Sequence, residues 1–150
     1  MRVKAHAIIW IDGLLIVARD AGAGSQTQLT LPGGHVNAHE SIADALRREV
    51  SAETGLDIDP GPLLYVNEVN ESARTHDLEL IFLAEASGVP MLRGHFTTID
   101  LDGDPPPGIR PAILEQIAAD ASDGWRGTPR WLGGPPSGPP KTHDGWSEGP

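Results

Sequence analysis

The stretch LPGGHVNAHESIADALRREVSAETGLDI, from Leu31 to Ile58, contains the strongest structural signals in the chain. It holds two glycines and a polar turn, and continues into a segment with helical periodicity. From Ser41 to Thr54, apolar residues recur at steps of three and four positions, which predicts a helix with one buried face. Gly55 follows as a natural C-cap, because glycine readily adopts the left-handed conformation that ends many helices. The stretch therefore predicts a glycine loop followed by an amphipathic helix.

The predicted helix carries glutamates four positions apart, at Glu49 and Glu53. Side chains at this spacing project from the same helix face, one turn apart. Two like charges there destabilise the helix unless a cation lies between them, and oxygen ligands in this arrangement suit Mg²⁺ or Mn²⁺. Ordinary solvated helix faces also carry glutamates at this spacing. The pair alone therefore leaves both interpretations open.

A longer pattern surrounds the pair: Gly34, five residues, Glu40, seven residues, and then REVSAETGL from Arg48 to Leu56. This pattern resembles the Nudix box, G-x5-E-x7-R-E-U-x-E-E-x-G-U, in which U is an aliphatic residue. Every fixed position matches except one, where Ala52 stands in place of the first glutamate of the acidic pair. A match at so many fixed offsets is far more specific than two glutamates, and it favours the Nudix interpretation over a solvated helix face.

The resemblance implies roles for residues within the box. In Nudix enzymes the acids of the helix and a backbone carbonyl of the glycine loop hold a divalent cation, here expected to be Mg²⁺, or alternatively Mn²⁺. The arginine is expected to orient the acids, because its guanidinium carries a fixed charge and five donors. The residues expected to act are Glu49, Glu53 and Arg48 in catalysis, Glu49, Glu53 and Gly34 as metal ligands, and Glu40 and Gly33 in support.

The order of elements around the box also resembles a Nudix domain, from about Val3 to Ala121. Two apolar runs, Val3–Ile11 and Leu14–Arg19, are joined by Asp-Gly, which predicts a hairpin. The polar, glycine-rich segment Asp20–Gln28 is predicted to be a mobile loop. Further strands are predicted at Leu29–Pro32, Pro62–Val69, Leu78–Ala86 and Gly94–Leu101, and a second helix at Arg110–Ala121. The resemblance implies an α/β fold, a Nudix-type α/β/α sandwich with a mixed sheet.

The last part of the chain has a different composition. Thirteen of the twenty-seven residues from Gly124 to Pro150 are Gly or Pro, and they show no periodicity. This composition favours a flexible tail after a Nudix-like domain of residues 1–123. The alternative is that Trp131 and Leu132 pack back onto the domain or onto a partner.

Overall composition limits the function. The absence of cysteine excludes disulfides, thiolate zinc sites and a cysteine nucleophile. The net charge of −10 argues against a nucleic-acid partner, although divalent cations would allow a phosphate-bearing small molecule to bind. No segment approaches the ~18 consecutive apolar residues of a membrane span. We therefore expect a cytoplasmic protein with a small diphosphate substrate, and a homodimer is compatible with the sequence.

Nudix enzymes typically hydrolyse a nucleoside diphosphate linked to another moiety, so the resemblance implies a Mg²⁺-dependent pyrophosphohydrolase. Ala52 is expected to lower its metal affinity and activity. The alternatives are a non-catalytic module that binds a nucleotide-like ligand, and an interaction scaffold built around the tail.

Outside the box, Arg19 and Arg74 are candidates to contact substrate phosphates, and Glu79 is a candidate to point at the site. Each of these residues has an ordinary surface role as its alternative. Other acids considered as additional metal ligands are Glu68, Glu71, Asp77, Asp100, Asp102 and Glu115, and His76 and His95 are candidates to touch phosphate or base.

Overall fold

The computed structural model describes residues 1–21, 27–72, 74–91, 95–104 and 111–133. Within these ranges the chain forms nine strands and two helices. Neither helix is long and apolar enough to cross a membrane. The elements are β1 (Arg2–Ile8), β2 (Trp10–Ile11), β3 (Leu14–Ala21), β4 (Thr27–Thr30), β5 (Gly33–His35), α1 (Ile42–Thr54), β6 (Asp57–Ser72), β7 (Thr75–Ser87), β8 (Phe96–Ile99), α2 (Pro111–Ser122) and β9 (Arg130–Trp131).

The strands of this described part form two sheets. The larger has the order β5-β1-β7-β6-β9 and is mixed, because β1 runs parallel to β7 and β6 runs parallel to β9, while the other pairs are antiparallel. In the smaller sheet, β3 pairs antiparallel with β2, β4 and β8. The mixed sheet expected from the resemblance is therefore confirmed.

Two hydrophobic clusters form the core, and each contains one of the helices. Leu46 and Val50 of α1 pack with Ala5 and Ala7 of β1 in one cluster. The other cluster joins α2 to the sheets through Leu114, Ile117, Ile8, Leu64, Tyr65 and Ile81. Because neighbouring residues of a strand point to opposite faces, β1 contributes to both clusters. The arrangement is the α/β/α sandwich that the resemblance implied.

The predicted hairpin at Asp12-Gly13 is confirmed, with Trp10 opposite Leu15. Both turn residues have positive φ, 51° and 77°, as a two-residue type I′ turn requires. The single strand expected from Val3 to Ile11 is wrong, because it divides after Ile8. Its first part pairs in the larger sheet and its last two residues pair in the smaller one, a change of partner that an uninterrupted apolar run does not reveal.

Several boundaries also differ from the prediction. Strand β6 is longer than Pro62–Val69, since its polar ends continue to pair with β7 across bulges. Strands β3 and β4 pair at Asp20–Gln28 and Ala21–Thr27, so only residues 22–26 of the predicted loop lie outside the described residues. The predicted strand at Leu29–Pro32 begins earlier and ends at Thr30. The segment Gly33–His35, expected as a loop, is a short strand paired with β1.

The start of the predicted tail contacts the domain. Arg130 and Trp131 pair with Tyr65 and Val66 of β6, and the Leu132 N–H donates to the Val66 carbonyl at 2.8 Å. Trp125 and Leu132 pack against the cluster that contains α2, while Trp131 is 54% exposed. These contacts extend the packed chain beyond residue 123, where the sequence placed the boundary. Residues 134–150 lie outside the described residues.

Candidate active site

Helix α1 is capped at both ends, and its C-cap is the glycine that the sequence predicted. The Ser41 hydroxyl accepts a hydrogen bond from the Asp44 N–H at 3.1 Å, and Gly55 ends the helix with φ 74° and donates to the Ser51 carbonyl. Ala45, Leu46 and Val50 are fully buried against the sheet. Because these residues fix the rotation of the helix about its axis, they also fix the direction in which Glu49 and Glu53 point.

The two glutamates of α1 lie against consecutive residues of β5. Glu53 Oε2 accepts a hydrogen bond from the Gly33 N–H at 3.0 Å. Glu49 lies so close to Gly34 that a Cβ atom on Gly34 would be 2.7 Å from the carboxylate carbon of Glu49. The two carboxylates therefore lie along the same short strand, and the close approach of Glu49 requires a glycine at position 34.

Gly33 is required for a different reason. Its φ is 144°, and an added Cβ would lie 2.0 Å from the carbonyl oxygen of Ala5 on β1. No side chain fits at that distance, and any L-residue would be strained at this φ. The site thus depends on β5 being pressed directly against β1.

Arg48 connects the rest of the box. Its Nε and Nη2 donate to the two oxygens of Glu40 at 2.7 and 3.0 Å. Its Nη1 donates to Glu49 Oε1 at 2.7 Å, and Nη2 also donates to the His35 carbonyl at 3.0 Å. One guanidinium therefore holds both Glu40 and Glu49 and ties them to the end of β5.

The charges in this network stabilise one another. The hydrogen bonds from Arg48, and a further one from the Asn37 N–H, lower the pKa of Glu40. The same contacts with Glu40 and Glu49 raise the pKa of Arg48. Glu40 is therefore an anion and Arg48 a cation at neutral pH, and the pair keeps its geometry there.

The donor groups beside β5 include the carboxylates of Glu49 and Glu53. Among the described residues, no three His, Cys, Asp or Glu side chains converge closely enough to form a metal site by themselves. Ala52, where a further carboxylate would stand, is exposed on α1. Two carboxylates beside a glycine backbone fit Mg²⁺, which is usually bound through one or two carboxylates together with waters and substrate phosphates.

Glu79 lies on the face of the larger sheet opposite α1, since it shares that face with Ile81. Glu79 Oε2 accepts from Asn67 Nδ2 at 3.0 Å, and Oε1 is 3.8 Å from Nε2 of His6. Glu79 therefore does not lie on the α1 side of the larger sheet, where Glu49 and Glu53 lie. The sequence did not predict the contact between Glu79 and His6. A histidine within an apolar strand run was the signal that could have indicated it.

The other candidates outside the box are spread over the molecule. Arg19 is exposed on β3, and Arg74 is exposed at the β6–β7 turn. Two acids considered as ligands are paired with basic groups instead. The contacts are Asp77 with Arg2 and Lys4, and Glu68 with His76.

Comparison with known proteins identifies the family. The sequence matches the NUDIX domain family over residues 1–109. No curated protein matches the chain. Among solved structures, a MutT NUDIX hydrolase from Burkholderia pseudomallei is 28% identical, with a TM-score of 0.65, over 77% of this chain and 97% of that one.

Two further structures share the fold at lower identity. The E. coli ORF135 protein is 22% identical with a TM-score of 0.66, covering 82% of this chain and 92% of that one. An ADP-ribose pyrophosphatase from Streptococcus suis is 17% identical with a TM-score of 0.62, covering 88% and 96%. The family match covers most of the chain and includes the whole box, so this protein belongs to the NUDIX domain family.

Proposed function

We propose that the protein is a Mg²⁺-dependent hydrolase that cleaves the pyrophosphate bond of a nucleoside diphosphate linked to another moiety, or of a related organic diphosphate. Membership of the NUDIX family supports pyrophosphate hydrolysis in general. The observation that carries the proposal is the placement of Glu49 against Gly34 and of Glu53 on the Gly33 N–H. Two anionic groups of α1 held side by side against the short strand β5 form a suitable place for a cation that binds phosphate oxygens.

In this proposal Glu49, Glu53 and the Gly34 carbonyl hold the cation, and Mn²⁺ would serve as an alternative to Mg²⁺. When bound, the cation supplies neutralisation of the pyrophosphate charge and activation of water. Arg48 orients Glu49 by donating to one of its oxygens, and Glu40 in turn holds the guanidinium by two bonds. Arg19 of β3 and Arg74 of the β6–β7 turn are proposed to contact substrate phosphates.

A second function, a module that binds a nucleotide-like ligand without hydrolysing it, has one observation in its favour. Ala52 removes a carboxylate from the box, and within the described chain no three acidic or imidazole side chains form a complete metal site. A site with two carboxylates still suits one Mg²⁺, whereas a second ion would be held weakly. Because Glu49 and Glu53 are both present, we favour hydrolysis with reduced metal affinity.

A substrate panel separates the two functions. The purified protein would be incubated with nucleoside triphosphates, ADP-ribose-like compounds, nucleotide sugars and prenyl diphosphates, each with Mg²⁺ or Mn²⁺, and released phosphate products would be followed. We expect turnover of at least one class that stops when EDTA is added. If no compound is hydrolysed while one of them raises the melting temperature, the protein is a binding module and the hydrolase proposal is wrong.

A further inference from the structure

Between β4 and β5 the chain passes through Leu31 and Pro32, and this short connection carries an unusual set of contacts. Proline has no N–H, so the connection cannot form a complete ladder with β1. Its two carbonyls are nevertheless bound: the Ala7 N–H donates to the Pro32 carbonyl at 2.8 Å, and the Leu31 carbonyl lies 3.0 Å from Nδ1 of His6. Thus β1 holds the connection once through its backbone and once through a side chain.

The tautomer of His6 follows from its partner. A carbonyl only accepts hydrogen bonds, so Nδ1 must carry the hydrogen and donate to Leu31. Burial lowers the pKa of the imidazole, and the nearby Glu79 opposes this effect, so the neutral ring suits the site. Within the described chain, Nε2 is buried without a hydrogen-bond partner, and its nearest acid oxygen is that of Glu79 at 3.8 Å. The hydrogen bond to the Leu31 carbonyl is therefore the interaction that offsets the desolvation cost of burying this ring.

The contact lies two residues before the group that binds Glu53. The backbone at Gly33 packs so closely on β1 that there is little room for a shift toward it, since an added Cβ atom would be only 2.7 Å from the Cα of His6. Holding the Leu31 carbonyl limits rotation of the connection in the other direction. The position of the Gly33 N–H, and with it the carboxylate of Glu53, is thus set from β1.

We propose that His6 is a positioning residue for the cation site: its Nδ1–H holds the Leu31 carbonyl and so keeps the Gly33 N–H where it binds Glu53. This inference rests on the proposed function, because it concerns the site at which the cation would bind. In this role His6 needs no contact with substrate or cation. It acts through the backbone of the connection, in the way that groups behind metal ligands commonly tune affinity by about 10- to 100-fold.

The test compares His6→Gln with His6→Asn. The amide nitrogen of asparagine occupies the place of Nδ1 and can still donate to Leu31, whereas the longer glutamine places its amide near Nε2. We expect His6→Gln to weaken Mn²⁺ binding to the protein alone, measured by electron paramagnetic resonance, by about tenfold. His6→Asn should restore the affinity to within about threefold of the original. With activity as a second readout, the Mn²⁺ concentration for half-maximal rate should rise in His6→Gln, while kcat at saturating Mn²⁺ should change much less.

Equal Mn²⁺ affinity in His6→Gln and the original protein would overturn the inference alone, and so would equal weakening in both variants, because the Nδ1 bond would then not be the cause. An original protein that binds no Mn²⁺ would overturn the proposed function as well. Amide exchange of Gly33 gives a measurement that does not require His6→Gln to fold. The Gly33 N–H should be protected in the original protein and in His6→Asn, and rapid exchange in both would overturn the inference.

Discussion

At the scale of single residues, a substitution of Glu53 can remove its charge without changing its packing. Its contact with the Gly33 N–H needs only an acceptor, and the amide oxygen of glutamine supplies one. Glu53→Gln should therefore leave the fold intact while removing a charge from the proposed cation site. We expect the rate to fall at least ~10²-fold, as when a main electrostatic group is removed. Rate and melting temperature would be measured together, and near-normal turnover would show that the cation binds elsewhere.

A substitution of Gly34 tests whether cation binding requires the close approach of Glu49 to β5. In Gly34→Ala the new Cβ would lie 2.7 to 3.0 Å from the three terminal atoms of Glu49, so the carboxylate has to move. We expect the Mn²⁺ affinity to fall at least about tenfold, with little change in melting temperature. Gly103→Ala is the matched control, since its Cβ would meet only an ordinary contact at 3.6 Å. Equal affinity in the two variants would mean that the position of Glu49 does not matter.

A substitution at position 52 tests whether the alanine that departs from the box pattern weakens cation binding. Ala52 is exposed and lies one residue before Glu53, so a glutamate there fits without disturbing the core. Ala52→Glu adds a carboxylate beside the other two, and we expect Mn²⁺ to bind about tenfold more tightly. An isothermal titration would measure this change. An unchanged titration would show that position 52 faces away from the cation.

The residues of the box were predictable because their chemistry is tied to fixed offsets along one helix and its glycines. The contacts of Arg48 with Glu40 and Glu49 lie within this short stretch. The contact of His6 with Glu79 was not predictable. It joins strands that are distant in the sequence, and depends on the parallel register of β1 and β7, which places Lys4 beside Glu79.

At the scale of elements, the pairing of β1 with β7 is reinforced by a buried acid. Asp77 is 6% exposed, and it accepts hydrogen bonds from Arg2 at 2.7 and 2.9 Å and is 2.9 Å from Lys4. These contacts, chiefly the one with Arg2, lower the pKa of Asp77 to about 2. Because the folded pKa lies below the unfolded one, Asp77 stabilises the fold above about pH 4, and this contribution is lost as the pH falls toward 2.

Asp77→Asn should therefore lower the free energy of unfolding at pH 7 by about 1 to 2 kcal/mol. The difference from the original protein should shrink between pH 4 and pH 2, as followed by denaturant unfolding at several pH values. Asp59→Asn is the control, because Asp59 has an 88% exposed side chain and lies 3.9 Å from Arg47. A constant difference over this pH range would show that Asp77 acts by packing and not by charge.

At the scale of the whole molecule, the sequence predicted the layers but not the extent of the packed chain. The amphipathic pattern of each helix and the apolar strand runs predicted elements that each have one face to bury, and the resemblance to the Nudix family implied their arrangement as a sandwich. The composition after Asp123 suggested a tail, because many glycines and prolines are typical of flexible chain and do not reveal a short segment that packs. Strand β9 is only two residues long, too short for a periodic signal, and its pairing with β6 depends on contacts made elsewhere.

One such contact is the ion pair of Asp120 on α2 with Arg130. Asp120 is 3% exposed, accepts from Tyr65 at 2.7 Å and Gln116 at 2.9 Å, and lies 3.1 Å from Nη2 of Arg130. A chain ending at Asp123 would lose Arg130, and a buried carboxylate deprived of its cation typically costs about 3 kcal/mol or more. Trp125 and Leu132, which pack on the same cluster, would be lost with it.

A chain ending at Leu132 keeps every one of these contacts, so its melting temperature and activity should match those of the full chain. The chain ending at Asp123 should melt about 10 °C lower, since about 3 kcal/mol in a protein of this size corresponds to a shift of that order. Scanning calorimetry of the three chains gives the comparison. If the chain ending at Leu132 is destabilised as strongly as the shorter one, residues after Leu132 pack on the domain. If the shorter chain melts like the full one, the Asp120–Arg130 pair contributes nothing measurable and the boundary predicted at residue 123 is the correct limit of the folding unit.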